Sequence, residues 1–370
     1  MTAMTWTLPS GRLLERPLGS SSPVTIGDIG RIKEITGMTI QGVEIGYQLI
    51  TIYIKLDRIK DITRAGTTLK ALEAITGLPG RLARAAGSDI TIELTRSEPA
   101  MLSMYECINS TAFESRRPGS HIIGASGGRI LTAQVQDHPH LLIAGTTGSG
   151  KSIMIHSIIA SLLYTSTPDH IRLIMIDAKR VELSRYARLP HTYKVATDMK
   201  EVPDLLEALT DLMDRRYKHM QAAGVRSYRG TKIVVIIDEL ADTILQSPKR
   251  VEASIVRLAQ LGRAAGIHLI VATQRPTREV VTGLIKSNLP SRITLKVPAV
   301  RDSMNTIDAK GGESLAGRGD GLYKSGSGTE ILRVQGPYIS PAEIERLIDH
   351  WEDQAKPPNL WQRLRAITGL

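Results

Sequence analysis

The chain has 370 residues, 42% of them hydrophobic and 23% charged, with a formal charge of +10 and a single cysteine. That length suits two domains, or one large domain with a smaller companion, and the composition is that of a globular protein rather than a disordered or fibrous one. One Cys excludes an internal disulfide and a cysteine-built zinc site, no apolar run approaches the roughly 18 residues of a membrane span, and one Phe with three Trp leaves few rings on which to stack single-stranded bases.

The excess of positive charge points to a polyanionic partner, and most of it lies in residues 141–370. The first residues show no basic-then-apolar signal pattern, so a cytoplasmic location is expected. Residues 1–25, rich in Gly, Ser, Pro and Thr, are expected to form a flexible arm. "VEIGYQLITIYIKL" (43–56) partly alternates and predicts a strand or hairpin; "TTLKALEAITGLPGRLARAAG" (67–87) has helical spacing broken at Pro79; "SDITIEL" (88–94) alternates again. Together these predict a small α+β domain over 26–138, with Cys107 in its core and short strands with Gly-rich turns over 110–139. "EITGM", "AITGL" and "AITGL", at 34–38, 74–78 and 366–370, read as helices ended by Gly rather than as a repeat.

From His140 the pattern changes to alternating strands and helices. "HLLIAG" (140–145), "IRLIMID" (171–177), "KIVVIID" (232–238), "IHLIVAT" (267–273) and "RITLKV" (292–297) are short, continuously apolar strand candidates. Between them, 201–223 sets Val202, Leu205, Leu206, Leu209, Leu212, Met213 and Met220 along one helical face. Such strands separated by helices predict an α/β domain over 139–350, with a mostly parallel sheet covered on both faces. Residues 351–370 form a tail whose "LWQRLRAITGL" is amphipathic at helical spacing and is expected to pack on its own domain.

"GTTGSGKS" (145–152) matches G-x-x-x-x-G-K-[ST] between a strand and an amphipathic helix. The backbone N–H groups of Gly145, Thr146, Thr147, Gly148, Ser149 and Gly150, with the helix start at Lys151, Ser152 and Ile153, converge on phosphate oxygens. Lys151 then reaches the β- and γ-phosphates of ATP, and the Ser152 hydroxyl ligates Mg²⁺. "IVVIIDE" (233–239) carries Asp238 and Glu239 to the sheet's C-terminal edge, on a strand expected beside the phosphate-loop strand, where Asp238 orients the metal shell and Glu239 activates water. Gln274, ending "IVATQRP", either senses the γ-phosphate or bonds a loop backbone. Asp177 and Lys179 end a further strand near this edge, in coupling or in a local ion pair.

"RLAQLGRAAGIHLIVATQRP" (257–276), with "HLLIAGTTGSGKS", "IRLIMIDAKRVEL", "IIDELAD", "TGLIKSNLPSRI" and "GRGDGLY", resembles the motor of the FtsK/SpoIIIE double-stranded DNA translocases over 139–350. A weaker resemblance over 40–138 matches the family's small α subdomain. The resemblance implies a RecA-like P-loop NTPase fold, a homo-oligomeric, hexameric ring threading duplex DNA, and ATP hydrolysis at subunit interfaces. It further implies that Arg263 completes a neighbour's site and that Arg275, Lys286 and Arg301 face the DNA. Where relatives carry "SSKIDSR" this chain has "PAVRDSM" (298–304), with Met304 in place of a basic residue. Without the family's membrane helices and winged helix, a compact motor of a phage, plasmid or other mobile element, or a motor fragment, is expected. The competing readings are an FtsK-like ATPase powering protein export or feeding DNA to a secretion channel, and a nucleotide-gated scaffold.

Overall fold

Ile50, Ile52 and Ile54 fall on one face of a strand, Ile90, Ile92 and Leu94 on one face of another, and the computed structural model pairs the two rows directly. It describes residues 6–16, 40–45, 47, 49–55, 60–77, 80–84, 90–96, 100–328 and 330–355. The small sheet has the order β1 (Ile40–Ile45), β2 (Leu49–Ile54), β4 (Ile90–Thr95), β3 (Gly80–Arg84), antiparallel throughout, with α1 (Lys60–Thr76) between β2 and β3 in the chain. Its core is formed by those two rows with Ala65 and Leu72 of α1. The helix ends as expected at a Gly cap: Gly77 has φ +67° and its N–H bonds Glu73 O at 2.9 Å. The chain does not resume a helix after Pro79. Gly80–Arg84 is a strand instead, because the free edge of β4 offers it a ladder. The other two copies of that Gly pattern, and the amphipathic tail stretch at 360–370, lie outside the described residues.

The larger sheet has ten strands in the order β6-β5-β14-β13-β12-β7-β11-β10-β8-β9. In chain order its elements are α2 (Met104–Ile108), α3 (Thr111–Glu114), β5 (Ser120–Ser126), β6 (Arg129–Gln134), β7 (His140–Ala144), α4 (Lys151–Thr165), β8 (Ile171–Ile176), β9 (Thr192–Ala196), α5 (Val202–Ala222), β10 (Lys232–Ile237), α6 (Leu240–Gln246), α7 (Pro248–Ala265), β11 (Ile267–Thr273), α8 (Gly283–Asn288), β12 (Ser291–Leu295), α9 (Val300–Ile307), β13 (Asp320–Lys324), β14 (Ile331–Gln335) and α10 (Pro341–Ala355). Every pairing from β12 through β7, β11, β10 and β8 to β9 is parallel, and the remaining four strands extend one edge antiparallel. This is the α/β architecture with a mostly parallel sheet expected from the strand–helix alternation.

Two apolar cores sandwich the sheet, which is why its central strands are continuously apolar. On one side α4 and α10 bury Ile155, Ile158, Ile159, Leu347 and Trp351; on the other α5 and α7 bury Leu206, Leu209, Met213, Val251, Ile255 and Leu258. Leu205 and Leu212, also expected on the buried face of α5, are only partly covered.

Several boundaries differ from the sequence reading. Strands β5 and β6, within the stretch assigned to the small domain, pair into the large sheet through β14. Cys107 is buried with Leu102, Met104 and Phe113 in the core of the large sheet, not that of the small one. Residues 6–16 do not form a loose arm: Trp6 stacks on Trp351 at 6.0 Å between ring centroids, Thr7 N bonds Gln354 Oε1 at 2.7 Å, and Arg346 Nε donates to Leu13 O at 2.8 Å. The expected tail boundary at 350/351 falls inside α10, where Trp351 is fully buried.

Candidate active site

Strand β7 is buried along its whole length and ends where the glycine-rich turn begins. Three neighbours brace the turn. Gly145 N donates to Thr273 O at the end of β11 (3.2 Å), Thr146 N to Lys296 O beyond β12 (2.9 Å), and Gly319 N to Ser149 O (2.8 Å). Gly150 caps α4 at φ +99°, and a Cβ there would sit 2.5 Å from Gly319 N, so the close approach admits only glycine. The first N–H groups of α4 lack intrahelical acceptors and carry the helix's positive end. The turn and the start of α4, through Ile153, line a cavity of about 610 Å³.

Lys151 is buried, and its Nζ donates to both Asp238 O and Asp238 Oδ1 at 2.7 Å. The two candidate strands are not adjacent, however: β11 lies between β7 and β10. The long Lys151 side chain and the turn after β10 span that extra strand. The intervening strand supplies contacts of its own. Glu239, at the N-cap of α6, accepts from Thr273 Oγ1 at 2.7 Å and from Gln274 N–H at 3.0 and 3.2 Å. Gln274 Oε1 accepts from Thr147 Oγ1 at 3.2 Å, so its side chain meets the phosphate loop while its backbone holds Glu239. Thr273 Oγ1 also accepts from Arg275 N at 3.1 Å. The segment 273–275 thus joins the phosphate loop, Glu239 and the exposed Arg275.

A hydroxyl at Ser152 with buried carboxylates at Asp238 and Glu239 is a hard, all-oxygen donor set, which fits Mg²⁺. Among the described residues no group of three His, Cys, Asp or Glu could cage a metal alone.

Glu182, not singled out from the sequence, lines the same cavity. His156, one turn along α4 from Ser152, has Nε2 3.2 Å from Glu182 Oε2 and Nδ1 2.9 Å from Tyr186 Oη. The His156 contact is the main cause holding the Glu182 carboxyl at about 2; bonding to Ser152 and the Lys151 charge act in the same direction, against burial. Among the described residues Asp177 has no ion-pair partner; its Oδ2 accepts from Leu183 N (2.9 Å) and Ser184 N (3.2 Å), fixing the turn that presents Glu182. Thr273 and Glu182 were legible only as a strand-end Thr and a loop Glu, residue types too common to stand out.

Arg263 lies elsewhere. On the last turn of α7, exposed, its Nε donates to Gln136 O at 3.0 Å, four residues before β7 starts and at the opposite edge of the sheet from Gly145–Ser152. It cannot serve the phosphate loop of its own chain. Of the three basic residues assigned to DNA, Arg275 and Arg301 are exposed, whereas Lys286 Nζ bonds Asp308 Oδ1 at 2.6 Å. Asp308 also holds Arg292 at 2.5 Å and Lys324 at 3.5 Å. The "PAVRDSM" stretch is not a loop: it enters α9 at Val300 and leaves Met304 partly exposed. Asn305 Nδ2 to Pro276 O, 3.0 Å, ties α9 to the segment carrying Arg275.

A family model described as the FtsK/SpoIIIE family matches residues 106–232 and 229–278. DNA translocase SpoIIIE of Bacillus subtilis is 37% identical over 326 residues, covering 82% of this chain and 40% of the relative. DNA translocase FtsK of Pseudomonas putida is 35% identical over 416 residues, covering 96% of this chain and 49% of the relative. The chain therefore spans less than half the length of these relatives. Among solved structures, the pCW3 conjugation coupling protein TcpA, in a monomer form with ATPγS, superposes with a TM-score of 0.62 at 22% identity, covering 86% of this chain and 96% of TcpA. That likeness speaks for a common fold. No helix among the described residues is long and apolar enough to cross a membrane.

Proposed function

Because the chain belongs to the FtsK/SpoIIIE family, we propose that it is an ATP-hydrolysing motor that moves double-stranded DNA through a ring of identical subunits, a hexamer, in the cytoplasm. In this reading the motor serves a mobile element, phage or plasmid. The observation that carries the reading is the joint placement of Lys151, Asp238, Glu239 and Gln274 at the edge of the sheet where the phosphate loop opens.

Lys151 leaves Asp238 for the β- and γ-phosphates when ATP enters, and the loop N–H groups take the remaining phosphate oxygens. Ser152 and Asp238 would hold Mg²⁺, which would supply charge neutralisation at the triphosphate. Glu239, kept in place by Thr273 and Gln274, accepts a proton from the attacking water, and Gln274 registers the γ-phosphate through its contact with the loop. Arg263 serves a neighbouring subunit, since in its own chain it sits at the far edge. Arg275 and Arg301 bind DNA phosphates without reading bases, and Lys286 joins them on leaving Asp308. The ten-stranded sheet with its flanking helices forms the motor, and the four-stranded sheet with α1 forms the smaller companion domain.

ATP turnover measured with and without linear duplex DNA tests this reading. Stimulation of several-fold by duplex, abolished in Lys151→Ala, is expected. Stimulation by a protein partner and not by DNA would replace the motor with an export ATPase, and slow turnover under every condition would leave a scaffold.

A further inference from the structure

The cavity does not end at the phosphate loop. It continues past Ile153 and Met154 of α4 to a wall built from residues 100–102 and 336–338, more than two hundred residues apart in the chain. That wall is rigid. Tyr338 N donates to Leu102 O at 2.7 Å, Met104 N to Tyr338 O at 2.9 Å, and Ser103 and Tyr338 form a parallel bridge. Leu102 and Ile339 beside it are fully buried. Two large apolar side chains nevertheless stand open on this anchored backbone: Met101 at 65% exposure and Tyr338 at 37%. Both line one cavity whose other end is the phosphate loop.

The wall offers little to read a base edge with. The cavity's polar side chains include Lys151, Ser152, Thr147 and Gln274 beside the phosphate loop, together with Glu182, Arg318 and Gln335. Gln335 is occupied, its Nε2 donating to Arg318 O at 3.0 Å and Gly336 O at 3.2 Å. The backbone donors of Ala100, Gly336 and Tyr338 are committed to Tyr47 O, Gly319 O and Leu102 O, and Pro337 has none. Among the described residues, what the wall itself presents most openly is a thioether and a phenol ring, groups that grip a flat π-system by contact and discriminate weakly between flat π-systems.

We propose that the Met101–Tyr338 wall is the nucleobase slot, and that it holds purines by stacking and apolar contact, so that the protein takes purine nucleoside triphosphates with little preference between adenine and guanine. This rests on the phosphate-cradle reading above and deepens it. An apolar slot cannot strongly reject a ligand of the same shape, and discrimination of about 10- to 200-fold is its ceiling. A site that hydrogen-bonds the correct base reaches 10⁴-fold or more.

The test is calorimetric titration of the full chain, with Mg²⁺, by three probes: AMP-PNP, GMP-PNP and inorganic tripolyphosphate. Wild type should bind the two nucleotides within about tenfold of each other. Tyr338→Ala should weaken both by roughly 5- to 100-fold, the range for losing one stacked ring, and leave tripolyphosphate unchanged; Tyr338→Phe should match wild type, and Met101→Ala should act in the same direction as Tyr338→Ala. Retained tripolyphosphate binding also certifies that each variant is folded. The proposal is overturned if Tyr338→Ala leaves nucleotide affinity intact, if it weakens tripolyphosphate equally, or if wild type prefers one purine by a thousandfold. Wild type that binds neither tripolyphosphate nor nucleotide would remove the phosphate-cradle reading itself, a result recognisably different from the others.

Discussion

Replacing Thr273 with Val removes one oxygen from the site and little else. The side chain is fully buried, Val has nearly the same shape, and the Thr273 carbonyl that braces Gly145 survives the change. Two groups hold the Glu239 carboxylate: Thr273 Oγ1 at 2.7 Å and the Gln274 N–H at 3.0 and 3.2 Å. A hydrogen bond to a charged acceptor contributes about 1.5–3 kcal/mol. If that energy orients Glu239 toward the attacking water, its loss lowers kcat by about 10- to 100-fold. The KM for ATP should stay within about twofold, because Lys151 and the loop amides are untouched. Thr273 Oγ1 also accepts from Arg275 N at 3.1 Å, so the variant severs the path to Glu239 from Arg275, the residue proposed to bind DNA. Duplex-stimulated turnover should therefore fall further than basal turnover, and Thr273→Ser should restore both. The assay is steady-state phosphate release with and without duplex DNA. A Val variant within twofold of wild type, or one with raised KM and unchanged kcat, would refute the positioning role.

Other expectations follow from the same geometry. Lys151→Met should lower stability by about 3–5 kcal/mol as well as abolish nucleotide binding, because it strands the buried Asp238 carboxylate; Lys151→Met combined with Asp238→Asn should recover most of the lost melting temperature and none of the activity. Arg263→Ala should leave the melting temperature within a degree or two, since its side chain is exposed, yet abolish turnover, and mixing it with Lys151→Met subunits should restore part of the activity if the two residues act across an interface. Burial lowers His121 and His140 to about 4 and His268 to about 3, from an ordinary 6.5. The unfolded chain therefore takes up these protons first, and the stability is present above pH 6.5 and lost as pH falls toward 4. At pH 5 each contributes a loss of about 2 kcal/mol; thermal melts at pH 7 and 5 should show the fall, and His268→Leu should reduce it.

The phosphate loop was legible because its chemistry restricts residue type at nearly every position from Gly145 to Ser152. The central strands were legible because burial on both faces makes them continuously apolar. Strand order was not legible: nothing local in β10 or β11 says which of them lies beside β7, and the insertion of β11 is what brings Thr273 and Gln274 to Glu239. Strand β9, half exposed at the sheet's edge, lacked an apolar run to announce it, whereas the short strands expected over 110–139 are present as β5 and β6 but join the large sheet rather than the small one. The nucleobase slot joins Met101 to Tyr338, and the Lys286–Asp308 pair joins residues 22 positions apart; both are products of the fold rather than of any motif. The family's DNA-facing pattern led to Lys286 as an open contact, but charge pairing inside the chain engages it with Asp308.

The central claim is that chemistry at Glu239 drives movement along duplex DNA. Its most direct test is displacement of a triplex-forming strand from linear duplex, in wild type and in Glu239→Gln. Wild type should strip the third strand only with ATP and Mg²⁺, while Glu239→Gln should bind ATP and duplex with near wild-type affinity and strip nothing. Stripping by Glu239→Gln at the wild-type rate, or a wild type that hydrolyses ATP briskly on duplex and never displaces the strand, would contradict the account.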